Sequence, residues 1–191
     1  MPEPATAGLI SIVGGESTGK STLAAEIGLR LPAVVVPEFL RAWVDQRGRV
    51  PVAEEQADVM AAHRESEISA LRAAERQGEP HADRAGRHWV VSDGGPLMTA
   101  VYSIQYYNDA SLLATAVEWV ARSERVIWCQ DDFPWQPDPQ RDGAQARATS
   151  QQVLAGIFAE HPELPVLAVR GSFDERVQAV LRECRAQRSG R

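Results

Sequence analysis

Short apolar runs alternate with longer stretches of helical spacing along the chain, and this alternation predicts the fold. The apolar runs, interpreted as five strands, cover Gly8–Val13, 33–36, 89–91, 125–129 and 165–169. Helices are predicted over about 19–31, 38–47, 53–77, 97–107, 110–121, 147–160 and 173–187. Because the strands are continuous apolar runs rather than alternating ones, we expect both of their faces to be covered. The sequence therefore predicts an α/β protein with a parallel sheet and helices on both sides.

Length and composition bound the organisation of the protein. The chain has 191 residues, of which 44% are hydrophobic and 24% charged, as in globular proteins. One domain over 1–191 is predicted, with a core of about 8–186. The sequence shows neither a leader peptide nor a run of 18 apolar residues, and its two cysteines, Cys129 and Cys184, lack metal-type spacing. We therefore expect a cytoplasmic protein without a membrane segment.

The net charge of the chain limits the classes of binding partner that we expect. A formal net charge of -6 disfavours nucleic acid or an anionic membrane as the main partner, and it leaves small phosphate ligands and a homo-oligomer open. Of the 20 basic residues only Lys20 is a lysine. A genome rich in arginine codons explains most of this bias. It does not explain the position of the one lysine.

That lysine lies in a motif for binding phosphate. Residues 14–21 fit G-x-x-x-x-G-K-[ST], with an apolar strand before them and a helix after. Backbone N–H groups of such a loop face the phosphates, Lys20 reaches the β- and γ-phosphates, and the Ser21 hydroxyl ligates Mg²⁺. The residues expected to bind ATP are Gly14, Gly15, Glu16, Ser17, Thr18, Gly19, Lys20, Ser21 and Thr22.

The rest of the chain discriminates among proteins with this loop. No lysine remains for the guanine-reading motif of a GTPase, and no LSGGQ-like segment of a transporter ATPase is present in the sequence. The chain is also short for an AAA+ module with its helical lid domain. A small-molecule kinase remains, which needs acidic groups for the acceptor and the metal.

Two acidic residues follow predicted strands, where a parallel sheet presents its carboxyl ends to ligands. Glu38 follows the second strand and is suited to accept the proton of an acceptor hydroxyl, with Arg41 one helical turn further on. Asp93 follows the third strand in the Walker B arrangement that supports Mg²⁺. The alternatives are a capping carboxylate with a solvated arginine for the first pair, and a helix cap or turn aspartate for Asp93.

A polar segment over 131–147 follows the fourth strand, and its composition suits a lid whose arginines cover the transferred phosphate. An ordinary solvated loop is the alternative. The candidate residues in this segment are Trp135, Asp138, Arg141, Asp142 and Arg147. Elsewhere, Thr99 is as compatible with core packing as with a site. His63 lies on the long third helix, where a structural role is expected more often than ligand binding, and His81 and His88 are expected to face solvent.

Taken together, these motifs resemble the ribosylnicotinamide kinase domain of the NadR family, over about residues 9–184. The GGESTGKST segment is similar to that family's phosphate loop, and Glu38-Phe-Leu-Arg41-Ala-Trp-Val44 to its E-x-x-R-x-aromatic-V motif. Asp93, Leu97 and Thr99 resemble its D-x-x-x-L-x-T segment, and 134–141 its P-W-x-x-D-G-x-R lid. Four motifs in this order are far more specific than the phosphate loop alone.

The resemblance implies a nucleoside-kinase-like P-loop NTPase with strand order 2-3-1-4-5, which uses ATP and Mg²⁺ to phosphorylate the 5′-hydroxyl of nicotinamide riboside. The implied catalytic residues are Lys20, Glu38, Asp93 and Arg141, with ATP contacts from the loop and Arg147. Implied substrate contacts are Glu38, Phe39, Arg41, Asp93, Trp135 and Asp138, and implied metal ligands are Ser21 and Asp93. The sequence leaves open which of Glu38 and Asp93 is the base.

The chain departs from the family pattern at three points. Pro37 stands where some members carry an aromatic residue that can stack on the nicotinamide, Pro139 replaces a lid glycine, and no H-x-G-H adenylyltransferase motif is present in the sequence. A kinase of another nucleoside or small hydroxyl metabolite, and a P-loop ATPase or regulator without an acceptor, therefore stay open as alternatives.

Overall fold

The computed structural model describes residues 7–31, 33–76, 87–132 and 143–186. Its strands are β1 (Gly8–Val13), β2 (Val34–Val36), β3 (Trp89–Asp93), β4 (Arg125–Cys129) and β5 (Val166–Val169). Its helices are α1 (Lys20–Arg30), α2 (Phe39–Arg47), α3 (Gln56–Arg76), α4 (Gly95–Tyr107), α5 (Leu113–Val120), α6 (Ala144–Glu160) and α7 (Phe173–Ala186), with a 3-10 turn at Ala53–Glu55 before α3.

The strands form one parallel sheet in the order β2-β3-β1-β4-β5, which confirms the predicted topology. β1 lies at the centre and pairs with β3 and β4, so Ser11 is level with Ser92 and Val126. β2 is an edge strand of three residues, and Val36 is level with Ser92. This register brings the carboxyl ends of β1, β2 and β3 to one edge of the sheet.

Both faces of the sheet are covered, as continuous apolar strands require. On one face, Ile10 and Ile12 of β1 pack with buried residues of α1 and α7. On the other face, Leu9 packs with Ala70 and Ala74 of α3, and Val13 with buried residues of α4, α5 and α6. Successive residues of β1 thus face opposite layers, and the strand is fully enclosed.

Some local expectations change in the structure. β3 extends through Asp93, two residues further than the apolar run, and the long third helix opens with a 3-10 turn. The expectation for His88 is wrong: its side chain is buried beside β3, because strand pairing continues to the neighbouring Gly8 N–H, which donates to the His88 carbonyl at 2.9 Å. His81 lies outside the described residues. Among the described helices, none combines the length and apolar character needed to cross a bilayer.

Candidate functional site

The loop between β1 and α1 is built to bring backbone N–H groups together. Ser17 has φ 56°, and Gly19 has φ 80°, so the chain turns through left-handed conformations before α1 begins at Lys20. The Gly15 carbonyl accepts a bond from Thr18 Oγ1 at 2.8 Å and one from Lys20 Nζ at 3.0 Å. Turns of this kind direct successive N–H groups into a concave anion site in front of a helix N-terminus.

Close packing explains two glycines of the loop. A Cβ on Gly14 would lie 2.7 Å from the Cys129 carbonyl oxygen, and a Cβ on Gly15 would lie 2.7 Å from the Arg147 carbonyl oxygen. The loop is therefore held between the end of β4 and the start of α6. Arg147 is buried there, so the structure places this predicted ATP-binding residue beside the phosphate loop.

The acidic residue at the end of β3 faces the start of α1. Asp93 is buried, and the Ser21 hydroxyl donates to its carboxylate. Burial raises the pKa of Asp93 and the Glu38 charge adds to that rise, while the Ser21 bond and the Lys20 charge lower it. The helix-cap alternative is not seen, because Gly94 is the N-cap residue of α4 and receives no side-chain cap.

The residues at this point fit a Mg²⁺ ion. Asp93 Oδ1 is a buried oxygen without a hydrogen-bond partner. The Ser21 hydroxyl bonds to the same carboxylate, and the charges of Glu38, Lys20 and Arg41 act on it. A hydroxyl, a carboxylate and substrate phosphates are the ligands that Mg²⁺ takes in nucleotide sites. Among the described residues no cluster of three or more His, Cys, Asp or Glu could hold a metal ion by itself.

Glu38 lies between β2 and α2, beside the turn that follows Asp93. A Cβ on Gly94 would lie 3.6 Å from Glu38 Cγ, and the Glu38 side chain is only 12% exposed. It is the N-cap residue of α2 but makes no side-chain cap, so the capping alternative is wrong. Arg41 Nε donates to Glu38 Oε2 at 3.1 Å, which raises the pKa of Arg41.

Tyr102 completes this acidic region, and sequence reasoning missed it. Burial raises the pKa of the Tyr102 phenol well above its ordinary value, and the charges of Glu38, Glu16 and Asp93 raise it further. Its ring also lies 6.2 Å from the Tyr106 ring. No local motif marks Tyr102, since only the packing of α4 against the strand ends brings it there. Phe39 is half-buried on α2, and Thr99 is buried on α4.

A second missed residue, Arg176 of α7, joins three loops. Its buried guanidinium donates to the carbonyls of Thr18 at 3.1 Å, Gln130 at 3.1 Å and Gly171 at 3.0 Å, and it pairs with Asp132. It therefore fixes the phosphate loop to the chain that leaves β4 and β5. One sequence signal was available: Arg176 lies next to Val177 and one turn before Val180, within the apolar stripe of α7.

The remaining candidates fall into two groups. His63 is buried and bonded to the Ser92 hydroxyl, which confirms the expected structural environment. The lid candidates Trp135, Asp138, Arg141 and Asp142 lie outside the described residues, as does most of the 131–147 segment.

The sheet order, the phosphate loop after β1 and the acid at the end of β3 define a P-loop NTPase fold. Within that class the chain belongs to the AAA domain family, whose model matches residues 9–176. The match runs from β1 to the first turn of α7, so it concerns the P-loop core. The match does not test the predicted absence of an AAA+ helical lid domain, which stays a prediction. No curated protein matches the sequence significantly.

Solved structures share the fold at low sequence identity. The NadR protein in complex with NR is 16% identical with a TM-score of 0.75, over 97% of this chain and 52% of that chain. Deoxyadenosine kinase from M. mycoides with dCMP is 13% identical with a TM-score of 0.62, over 93% and 99%. Thymidylate kinase from Candida albicans is 13% identical with a TM-score of 0.58, over 96% and 92%. The chain thus has the NadR-like P-loop fold and spans about half the length of NadR.

Proposed function

We propose that this protein is an ATP-dependent kinase that phosphorylates the 5′-hydroxyl of nicotinamide riboside to give nicotinamide mononucleotide. The observation that carries the proposal is the convergence of two acidic residues on the phosphate loop. Asp93 bonds to Ser21 at the start of α1, and Glu38 lies against the turn that follows Asp93. A phosphate cradle beside two strand-end acids suits phosphoryl transfer to a hydroxyl better than nucleotide binding alone.

On the donor side, the protein holds and neutralises the phosphates. The loop amides and Lys20 contact the β- and γ-phosphates, with Lys20 already lying against the loop at Gly15. Ser21 and Asp93 would hold Mg²⁺, which supplies further neutralisation of the phosphate charge when bound. Arg147, whose backbone lies beside Gly15, keeps its proposed role as an ATP contact. Arg141 keeps its proposed role as a lid arginine.

On the acceptor side, Glu38 receives the proton of the attacking hydroxyl. As the new O–P bond forms to the γ-phosphorus, the bond to the bridging oxygen breaks, ADP leaves and the hydroxyl proton passes to the Glu38 carboxylate. The Arg41 bond orients this carboxylate. We assign the base to Glu38 rather than Asp93, because Asp93 is committed to Ser21.

The charge of the acceptor region favours a cationic nucleoside. The charges of Glu38, Glu16 and Asp93 all act on the buried Tyr102, and the Tyr106 ring lies 6.2 Å from the Tyr102 ring. A pyridinium ring carries a positive charge, so it gains from nearby carboxylates and from aromatic faces. A neutral base has no such gain. This supports nicotinamide riboside, and NR is what the NadR structure holds.

A deoxynucleoside is the second candidate acceptor, and one observation favours it. The fold match extends over 99% of the deoxyadenosine kinase, against 52% of NadR. Pro37, which replaces a stacking aromatic residue, removes one means of recognising nicotinamide.

The test is a product assay with Mg²⁺, ATP and a panel of nucleosides that includes nicotinamide riboside, deoxyadenosine and deoxycytidine. We expect nicotinamide mononucleotide and ADP in equal amounts. If a deoxynucleoside is phosphorylated and nicotinamide riboside is not, the second candidate replaces the proposed acceptor. ADP without any phosphorylated nucleoside would indicate a P-loop ATPase or regulator and would reject both kinases.

A further inference from the structure

A buried polar network lies directly behind the candidate site and takes no part in the proposed reaction. It consists of His63 and Glu67 of α3, Ser92 of β3 and Trp119 of α5, which we call the Glu67 network. Glu67 and Ser92 are 0% exposed, and His63 is 2% exposed. Burying a carboxylate is unfavourable unless it is fully hydrogen-bonded, and an apolar side chain would be at least as stable there. The network therefore calls for a reason beyond stability.

The Glu67 carboxylate accepts one bond on each oxygen. The Ser92 hydroxyl donates to Oε1, and the Trp119 indole N–H donates to Oε2. His63 Nε2 lies 3.2 Å from Ser92 Oγ on the other side of the same hydroxyl. Ser92 is thus held between a carboxylate and an imidazole, so its rotamer is fixed from both sides.

The network lies beneath the turn that follows Asp93. A Cβ on Gly95 would lie 3.2 Å from Glu67 Oε1, and Gly95 has φ 60°, so both backbone conformation and space require glycine there. Glu38 packs against the preceding Gly94. The turn therefore lies between the candidate base on one side and a buried carboxylate on the other. Its position sets where the Asp93 carboxylate lies.

The bonding pattern also fixes the protons. Trp119 is a donor only, so Glu67 must accept from it. With Glu67 ionised, the single proton of Ser92 goes to the other Glu67 oxygen. The Ser92 oxygen can then only accept from His63, which places the imidazole proton on Nε2. Burial lowers the pKa of His63 to about 4, so the ring is neutral and Nδ1 carries no proton.

We propose that Glu67, acting through Ser92 and His63, is a positioning residue that holds the Asp93 turn in its working geometry. This rests on the proposed phosphoryl transfer, in which Asp93 supports the metal. Groups that orient a ligand side chain commonly contribute about 10- to 100-fold to activity or metal affinity. Here the orienting groups lie one residue before Asp93 and two residues after it, at Ser92 and Gly95.

The first measurement is the tautomer of His63 by ¹⁵N NMR of the imidazole, which needs no activity. We expect the Nε2–H tautomer in the wild-type protein. In Glu67→Gln, the amide oxygen must face Trp119, so the amide N–H faces Ser92 and the hydroxyl turns to donate to His63. The expected result is a switch to the Nδ1–H tautomer, which a loss of packing alone would not produce.

The second measurement is steady-state kinetics with nucleotide binding. Glu67→Gln and Ser92→Ala are expected to lower kcat by about 10-fold while the Kd for ATP without Mg²⁺ changes less than about twofold. Ser103→Ala is the matched control, since Ser103 is an equally buried serine whose hydroxyl makes no hydrogen bond. It is expected to keep both parameters, so it separates loss of a buried hydroxyl from loss of the network.

The outcomes separate this proposal from the proposed function. If the wild-type protein phosphorylates no acceptor, the proposed kinase activity is rejected. The positioning role is then tested by the rise in melting temperature that ATP causes, measured with Mg²⁺ and with EDTA. Glu67→Gln should lose the additional rise that Mg²⁺ gives and keep the rise seen with EDTA. Wild-type kcat, or an unchanged Mg²⁺ effect, in both folded variants would overturn the positioning role. An Nδ1–H tautomer in the wild-type protein would overturn the assigned network.

Discussion

Lys20 shows how much one side chain can be constrained in a chain that otherwise uses arginine. The side chain is 7% exposed and its ammonium bonds to the Gly15 carbonyl within the loop. A compact ammonium on an unbranched stem fits such a narrow passage, whereas a planar guanidinium with five donors does not. Arg176, which bonds to Thr18 of the same loop, donates to three carbonyl acceptors that lie in different directions. The two cations are therefore not interchangeable.

Glu38 gives the first prediction. Glu38→Gln keeps the shape of the side chain but removes the base, so we expect kcat to fall by about 100-fold or more while the Kd for ATP stays within about twofold. Asp45→Asn, at an exposed position of α2, the helix that follows Glu38, is the control. It should leave kcat and the Kd for ATP unchanged. Equal losses of transfer and ATP binding would remove Glu38 from the acceptor role.

His63 gives a prediction about stability and pH. Its pKa is about 4 in the folded protein against 6.5 ordinarily, so the unfolded chain binds the extra proton between these values. His63 therefore does not lower the free energy of unfolding above pH 6.5. As the pH falls from 6.5 to about 4, protonation of the unfolded chain lowers this free energy by at most about 3 kcal/mol.

Urea unfolding at several pH values measures this dependence. The free-energy difference between wild type and His63→Gln isolates the histidine from Glu67 and Asp93, whose pKa values are raised. A difference that stays constant from pH 4 to 6.5 would contradict the depressed pKa.

At the residue scale, the sequence identified the groups that belong to local motifs. Lys20, Ser21, Glu38 and Asp93 each follow a strand or loop signal, and the structure brings them to one edge of the sheet. Tyr102 and Glu67 have no such signal, and Arg176 has only its place within the apolar stripe of α7. Each is a polar group on a helix face that packs inward, and only the partners contributed by distant elements show why it is there.

One glycine of α1 is tightly packed and one glycine of α6 is open to solvent, so the two positions allow a matched pair of substitutions. A Cβ on Gly28 of α1 would overlap Val35 Cγ2 of β2, whereas nothing lies within 4 Å of a Cβ on Gly156 of α6. We expect Gly28→Ala to destabilise by about 1–3 kcal/mol through overpacking. Gly156→Ala should stabilise by about 0.5–1 kcal/mol through helix propensity. Chemical unfolding measures both, and the same sign for the two would reject the account.

Arg176 links elements rather than residues, so its removal should affect two properties together. Arg176→Met removes the guanidinium donor from three carbonyls and from Asp132 Oδ1, while Asp132 Oδ2 keeps the Gly171 N–H. We expect a loss of about 2–4 kcal/mol in stability together with weaker ATP binding. Arg182→Met, at an exposed position of the same helix, is the control. Lower stability with unchanged ATP affinity would show that the link does not support the phosphate loop.

Element boundaries were predictable to within a few residues, because apolar runs and helical spacing are local properties. The last residue of β3 and the first residue of α4 each differ from the prediction by two positions. Strand pairing with β1 carries β3 through Asp93, and the Gly94 N–H then donates to the Ile12 carbonyl at 2.8 Å. These bonds are made to a strand some 80 positions earlier in the chain, which no local pattern contains.

At the scale of the whole molecule, net charge should act on the acceptor. The chain carries -6, and the charges of Glu38, Glu16 and Asp93 act on Tyr102. With saturating ATP, we expect the KM for the cationic nicotinamide riboside to rise several-fold, about 2- to 5-fold, between 50 and 300 mM salt. A neutral nucleoside that serves as a poorer substrate provides the control and should show a flat dependence. Equal salt dependence for the two would remove the electrostatic argument for the pyridinium.

The position of β2 has a consequence for how such proteins diverge. The strand is three residues long, lies at the edge of the sheet and carries the candidate base at its end, while the phosphate loop follows the central β1. Mutations that reshape the acceptor side therefore affect a short edge strand with few hydrogen bonds, and the phosphate loop at the centre of the sheet is left intact. Selection can exchange one acceptor for another in small steps. This chain shares its fold with NadR, a deoxyadenosine kinase and a thymidylate kinase at 13–16% identity to each.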